Sequence, residues 1–196
     1  MSLKLCVFGS AQPGASEVSD TVFPTILAKL CKEYNLKHFT HLSALGINDA
    51  VDSDYAKSKL EGENEILKNF PLATILRPSV VYSVDDNFTT NFMTLLNRLP
   101  FFPIYYSGKT KFMPIHCSDL TDVIYEVITK NINSKIIECV GPEIISFKEI
   151  IERLLQLINK NSDHLFKNYS IEILKKKPKL KIYGTNYKTD DGSCIG

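Results

Sequence analysis

The chain has 196 residues, 44% of them apolar and 23% charged, with 23 Lys and Arg against 22 Asp and Glu, the make-up of one sizeable globular domain. A formal net charge of +1 argues against a dedicated nucleic-acid binder, which needs a concentrated basic surface. Cys6, Cys31, Cys117, Cys139 and Cys194 show no C-x-x-C pair and no Cys/His cluster at ligand spacing, which argues against zinc and against a disulfide framework, and they read as thiols in a reducing compartment. No apolar run approaches the ~18 residues of a membrane span, and the apolar piece at 5–8 is too short for a signal-peptide core. No transmembrane segment is therefore expected.

Residues 3–9 form a short apolar run ending in Gly9, which suits a buried parallel strand. Residues 10–20 read as a loop. Gly9 and Gly14 lie five positions apart with Pro13 between them, whereas the dinucleotide fingerprint is G-x-G-x-x-G running into a helix, and a P-loop needs Lys and Ser/Thr after its last glycine. Neither pattern is met. From Phe23 the apolar residues fall on one helical face to Tyr34, with Asn35 as the stop, and a strand follows over 36–43. His38 and His41 lie in that strand and read as packed or surface residues.

Residues 38–63 hold the spacing that points to chemistry. A polar loop leads from Ser43 into a helix carrying Tyr55 and Lys59 four positions apart, which places them as neighbours on one face. A nearby ammonium favours phenolate and draws a tyrosine pKa down from about 10, which would make a working acid/base. Ser43, at the C-terminal end of the strand, would hold a substrate carbonyl or hydroxyl against that phenol while hydride passes to or from a nicotinamide. The plain alternative is an ordinary tyrosine on an exposed helix. Gly62 falls on the helix's buried side, where a missing side chain permits close approach to the sheet.

Pro71 ends this helix, and 73–82 is an apolar strand broken at Arg77-Pro78, so Pro78 marks a strand end. Asp85, Asp86 and Asn87 read as the cap of a helix carrying Phe88, Phe92, Leu95, Leu96 and Leu99. The aromatic stretch 99–112 is interrupted by Pro100 and Pro103. Phe112–His116 reads as a strand, Asp119 as the cap of the next helix, 136–140 as a strand, and Ser146 to Glu149 as a capping box opening a helix over Ile150, Ile151, Leu154, Leu155 and Ile158. Residues 1–160 carry 16 Lys and Arg against 18 Asp and Glu, and 161–196 carry 7 against 4, so a domain at 1–160 followed by a basic, weakly structured tail at 161–196 is expected.

Three phrases in order, Ser-Ala-Leu-Gly from Ser43, Tyr-Ala-Lys-Ser-Lys-Leu-Glu-Gly-Glu from Tyr55 and Ile-Leu-Arg-Pro-Ser-Val-Val-Tyr from Ile75, resemble the extended, atypical branch of the short-chain dehydrogenase/reductase superfamily. The resemblance covers about residues 20–158 and is nearest to the nucleotide-binding accessory subunit of respiratory complex I and its bacterial homologues. It implies an α/β fold, a Rossmann-like, mostly parallel sheet with helices on both faces and a small substrate-side lobe built from the aromatic stretch. It implies Ser43, Tyr55 and Lys59 as catalytic residues, and Gly9, Ser43, Tyr55, Lys59, Pro78 and Ser79 as contacts to NAD or NADP. Ser83 stands where the family usually has glycine. Only 34 positions separate Gly9 from Ser43, room for one crossover of about 30 residues, whereas the family places three more strands there. Residues 3–9 are accordingly expected to be the strand immediately before the serine strand, with the first strands and pyrophosphate loop absent. The other reading makes them a first strand with Gly9 and Gly14 at the phosphates.

Three functions follow from the resemblance. One is a dinucleotide-binding structural or assembly component with protein partners in a respiratory complex, cytoplasmic or peripheral on the inner face of a membrane complex. The second is an epimerase or reductase, alone or as a homo-oligomer, acting on a sugar nucleotide or other small molecule through Ser43, Tyr55 and Lys59. The third is a fragment with no ligand. Cofactor affinity is expected to be weak or absent in this chain alone.

Overall fold

The computed structural model describes residues 4–8, 18–50, 52–99 and 102–159. Gly9, Gly14 and the expected tail at 161–196 lie outside the described residues.

Four parallel strands make the main sheet in the order β1 (Lys4–Phe8), β2 (His38–Leu42), β3 (Thr74–Pro78) and β7 (Ile136–Cys139). Lys4 faces His38 and Phe8 faces Leu42, so the strand at the start of the chain lies directly beside the serine strand, as its sequence spacing required. Two helices join these strands as crossovers, α1 (Phe23–Glu33) and α2 (Asp54–Asn69). α1 ends where expected: Asn35 takes a left-handed φ of 52°, a conformation that asparagine tolerates better than most residues. α2 is opened by Ser53, whose side chain accepts a hydrogen bond from the Ala56 amide.

Alternation along the strands sorts side chains to two faces. Phe39 and Ile75 point to α1 and α2, packing with Ala28, Cys31, Ile66 and Phe70. Leu42 and Leu76 point the other way, toward Leu120 and Val127 of α4 (Cys117–Thr129). Helices therefore cover both faces of the sheet.

The rest of the described fold is built from α3 (Asn87–Arg98), α5 (Phe147–Leu157) and paired two-residue strands. Val81–Tyr82 (β4) pairs with Ile115–His116 (β6), and Lys111–Phe112 (β5) pairs with Ile145–Ser146 (β8). The single strand expected over 112–116 is thus two, split at Met113-Pro114, because Pro114 has no amide to continue one ladder. The aromatic stretch is core here: Phe92 meets Phe88, Phe102 and Phe147 at 5.0, 5.9 and 5.3 Å between ring centroids. Asp86 caps α3 and Ser146 with Glu149 forms the expected box. Asp119 does not cap α4. His116 is the cap, accepting from the Ser118 amide at 3.3 Å, and Asp119 sits in the first turn, where a carboxylate favours the helix dipole.

Residues 10–20 were expected as loop, yet Val18–Val22 is a π-helical turn leading into α1. Its polar sequence gave no periodicity to read. This turn changes the role of Gly62. A Cβ at Gly62 would lie 2.1 Å from the Asp20 carbonyl oxygen, so the close approach is to this turn and not to the sheet.

Candidate functional site

The site lies where the C-terminal ends of β2 and β3 meet the first turns of α2, the edge at which open α/β sheets bind ligands. Ser43 follows β2 and is still held to β3, its amide donating to the Leu76 carbonyl at 2.7 Å. Ser79 follows Pro78 and is held to β7 through the Cys139 carbonyl at 2.9 Å. By alternation His41 shares the Phe39 face and Arg77 the Ile75 face, so both point toward α1 and α2, with Ser43 and Ser79 just beyond the two strand ends.

α2 supplies Tyr55, half-buried, and Lys59, 2% exposed. The Lys59 ammonium stands 5.6 Å from the Tyr55 ring centroid. The spacing argument placed these two side chains correctly on one face.

Their electrostatics differ from the expectation. Lys59 Nζ is 2.8 Å from Oδ1 of Asp20, which is itself fully buried in the π-helical turn. The contact is one of charges: no donor in hydrogen-bond geometry reaches either Asp20 oxygen among the described residues. With its charge matched by Asp20, Lys59 does not draw the phenol down. Burial first, and the Asp20 carboxylate second, push the Tyr55 pKa up to about 12. At pH 7 the Tyr55 phenol therefore keeps its proton.

His41 lies beside the pair with no exposed surface, and neither ring nitrogen has a hydrogen-bond partner among the described residues. Burial, then the Lys59 charge, lower its pKa from 6.5 to about 4, so the ring is neutral at pH 7. Both histidines are packed, as expected, and His38 is bonded to Asn133 Oδ1 at 2.7 Å and Thr40 Oγ1 at 2.6 Å.

Below the pocket, Arg77 donates to Glu63 through Nε at 3.0 Å and Nη2 at 2.6 Å, and Nη2 lies 3.4 Å from Asn48 Oδ1. This buried fork ties β3 to α2 and to the loop after Ser43. Glu63 is four residues beyond Lys59, so its inward direction was readable. Nothing in the sequence marked Asp20 or told His41 from His38.

The hydroxyls of Ser43 and Ser79 are buried without partners among the described residues. Ser43 is consequently not bonded to the Tyr55 phenol. Unpaired buried hydroxyls cost roughly 1–3 kcal/mol each, and with His41 they form a set of orphaned polar groups at the sheet edge.

The chain is similar to mitochondrial subunits of complex I. It is 27% identical over 122 residues to NADH dehydrogenase (ubiquinone) 1 alpha subcomplex subunit 9 of Dictyostelium discoideum, covering 62% of this chain and 34% of that one. The corresponding Mus musculus subunit is 30% identical over 98 residues, 50% of this chain and 26% of that one. The chain thus spans about a third of the length of the curated relatives it matches. No family model matches. Among solved structures, it superposes on dTDP-glucose 4,6-dehydratase of Bacillus anthracis in complex with NAD with a TM-score of 0.70 at 16% identity, over 82% of this chain and 58% of that one. A dTDP-4-dehydrorhamnose reductase of Clostridium acetobutylicum gives 0.67 at 19% identity, over 79% and 62%. Both comparisons agree with the resemblance read from residues 43–82: in sequence the chain is similar to these complex I subunits, and its fold is the Rossmann-like parallel sheet of the superposed structures.

Proposed function

We propose that the chain is a nicotinamide-dinucleotide-binding component that serves structure or assembly, in the manner of the complex I accessory subunit, and not an enzyme. The observation that carries this is the buried Asp20–Lys59 pair at 2.8 Å beside Tyr55, which leaves the Tyr55 phenol protonated and able to hydrogen-bond a ligand but not poised as a base. Ser43, Ser79, Tyr55 and Lys59 would hold the nicotinamide end, with the Pro78 corner against the ring. Kinship to complex I subunits supports protein partners in a respiratory assembly. Among the described residues no helix is long and apolar enough to cross a membrane, and a peripheral place on such an assembly fits this.

Calorimetric titration of the 196-residue chain with NADH and NADPH, run beside an assay of NAD-dependent turnover of dTDP- and UDP-sugars, tests the reading. Measurable binding without turnover is expected. Turnover that falls about 10²–10⁴-fold in Tyr55→Phe, the usual worth of a positioned acid/base, would make the chain an epimerase or reductase instead.

A further inference from the structure

We propose that Asp20 is a charge lock on this site: it binds the Lys59 ammonium inside the protein and withholds it from Tyr55, so that the triad binds without transferring protons. The inference deepens the binding reading above, on which it rests.

The lock is built into the backbone. Lys59 is 2% exposed and Asp20 is fully buried, and 2.8 Å separates Nζ from Oδ1. The turn carrying Asp20 is fastened to α2 by the Thr21 hydroxyl, which donates to the Ser58 carbonyl at 3.1 Å, and the Thr25 hydroxyl bonds the Thr21 carbonyl at 2.6 Å. Gly62 provides the notch: its absent side chain is what lets the Asp20 carbonyl lie against the helix. Ser58, Lys59 and Gly62 therefore hold one turn in one place.

Other charges around the pocket are committed elsewhere. Arg77, from β3, is forked on Glu63 of α2. His41, from β2, is neutral at pH 7. The charged residues of α1, Lys29, Lys32 and Glu33, are exposed. The Asp20 carboxylate is thus the anion that the Lys59 ammonium meets, and Tyr55 feels that carboxylate as a repulsion opposing its own ionisation.

The test needs no nucleotide. Tyrosine ring carbons of the 196-residue chain are labelled and titrated by NMR, with the Tyr55 signal identified by its loss in Tyr55→Phe. In the wild type Tyr55 is expected to titrate at about 12. Asp20→Asn, which keeps the side chain's shape, is expected to lower that midpoint by at least about one unit, tenfold in the ionisation constant. In Asp20→Asn/Lys59→Met, where the freed cation is also gone, the midpoint is expected to move back up. If Asp20→Asn does not hold its fold by circular dichroism, Asp20→Ser is read in its place, since the smaller side chain admits water to the ammonium. A Tyr55 midpoint that stays put in the folded Asn or Ser variant overturns the lock and leaves the dinucleotide reading intact. Failure to bind NADH, with the midpoint shifted as expected, leaves the lock and removes the reading it serves.

Discussion

His41 shows how a single buried group ties the site to solution conditions. Its pKa is about 4 in the folded chain and 6.5 in the unfolded one, so between those values the unfolded state binds the extra proton. Stability rises with pH wherever the unfolded state holds more protons. The neutral ring's contribution is complete above about pH 6.5 and is lost as pH falls toward 4, by up to roughly 3 kcal/mol. Urea midpoints measured from pH 7 to pH 4 should fall, and His41→Phe should flatten that slope; an equal slope in both proteins would place the titration elsewhere. The Asp20–Lys59 pair makes a second statement. Lys59→Met leaves a buried carboxylate with no counter-charge, at a cost of about 3–5 kcal/mol. Asp20→Asn/Lys59→Met removes both charges and should recover most of that loss, measured as urea unfolding of the two variants side by side.

At the scale of elements, α2 is organised by what its neighbours need from it, and Gly62 is the clearest case. A methyl group there would stand 2.1 Å from the Asp20 carbonyl oxygen, against a turn that Thr21 fastens to Ser58 of α2 and Thr25 fastens to α1. Gly62→Ala should cost about 1–3 kcal/mol by pushing the turn off the helix, and the Tyr55 titration should shift with it because Asp20 moves; an unchanged unfolding midpoint would show that the turn is loosely held. The same elements show what the sequence could disclose. Helix periodicity, Asn35, Pro71, the Asp85–Asn87 cap and the Ser146–Glu149 box made α1, α2, α3 and α5 legible, because each depends on local spacing or a local hydrogen bond. The π-helical turn and the two-residue strands were not, since Val18–Val22 is stabilised by contacts with residues some forty positions away and β5 and β6 by partners of different sheets. At the site, Tyr55 and Lys59 could be paired from their spacing. The sign of their effect on each other could not, because it is decided by Asp20, 39 positions before Lys59.

For the molecule as a whole, the question is how much of a dinucleotide this chain can hold. The orphaned hydroxyls of Ser43 and Ser79, the neutral ring of His41 and the half-buried Tyr55 lie at one end of the sheet edge, and in the function proposed above this end takes the nicotinamide and its ribose. In Rossmann-type sites a large share of affinity comes instead from the pyrophosphate, resting on amides at a helix N-terminus behind a glycine-rich turn, and the glycines here, Gly9 and Gly14 included, do not fall at that spacing. Each charge-assisted hydrogen bond to phosphate is worth about 1.5–3 kcal/mol, so a chain that makes two or three of them should prefer the dinucleotide over its nicotinamide half by at least about 10²-fold. Without them, reduced nicotinamide mononucleotide and NADH should bind this chain within a few-fold of each other, weakly, and with little dependence on salt. Parallel calorimetric titrations of the two nucleotides separate the cases. NADH binding that exceeds the mononucleotide by two orders of magnitude would mean that the chain builds a phosphate site from an unfamiliar spacing, and Gly9→Val and Gly14→Val would then be the variants to read, since a cradle made of backbone amides is blocked by any side chain placed against it.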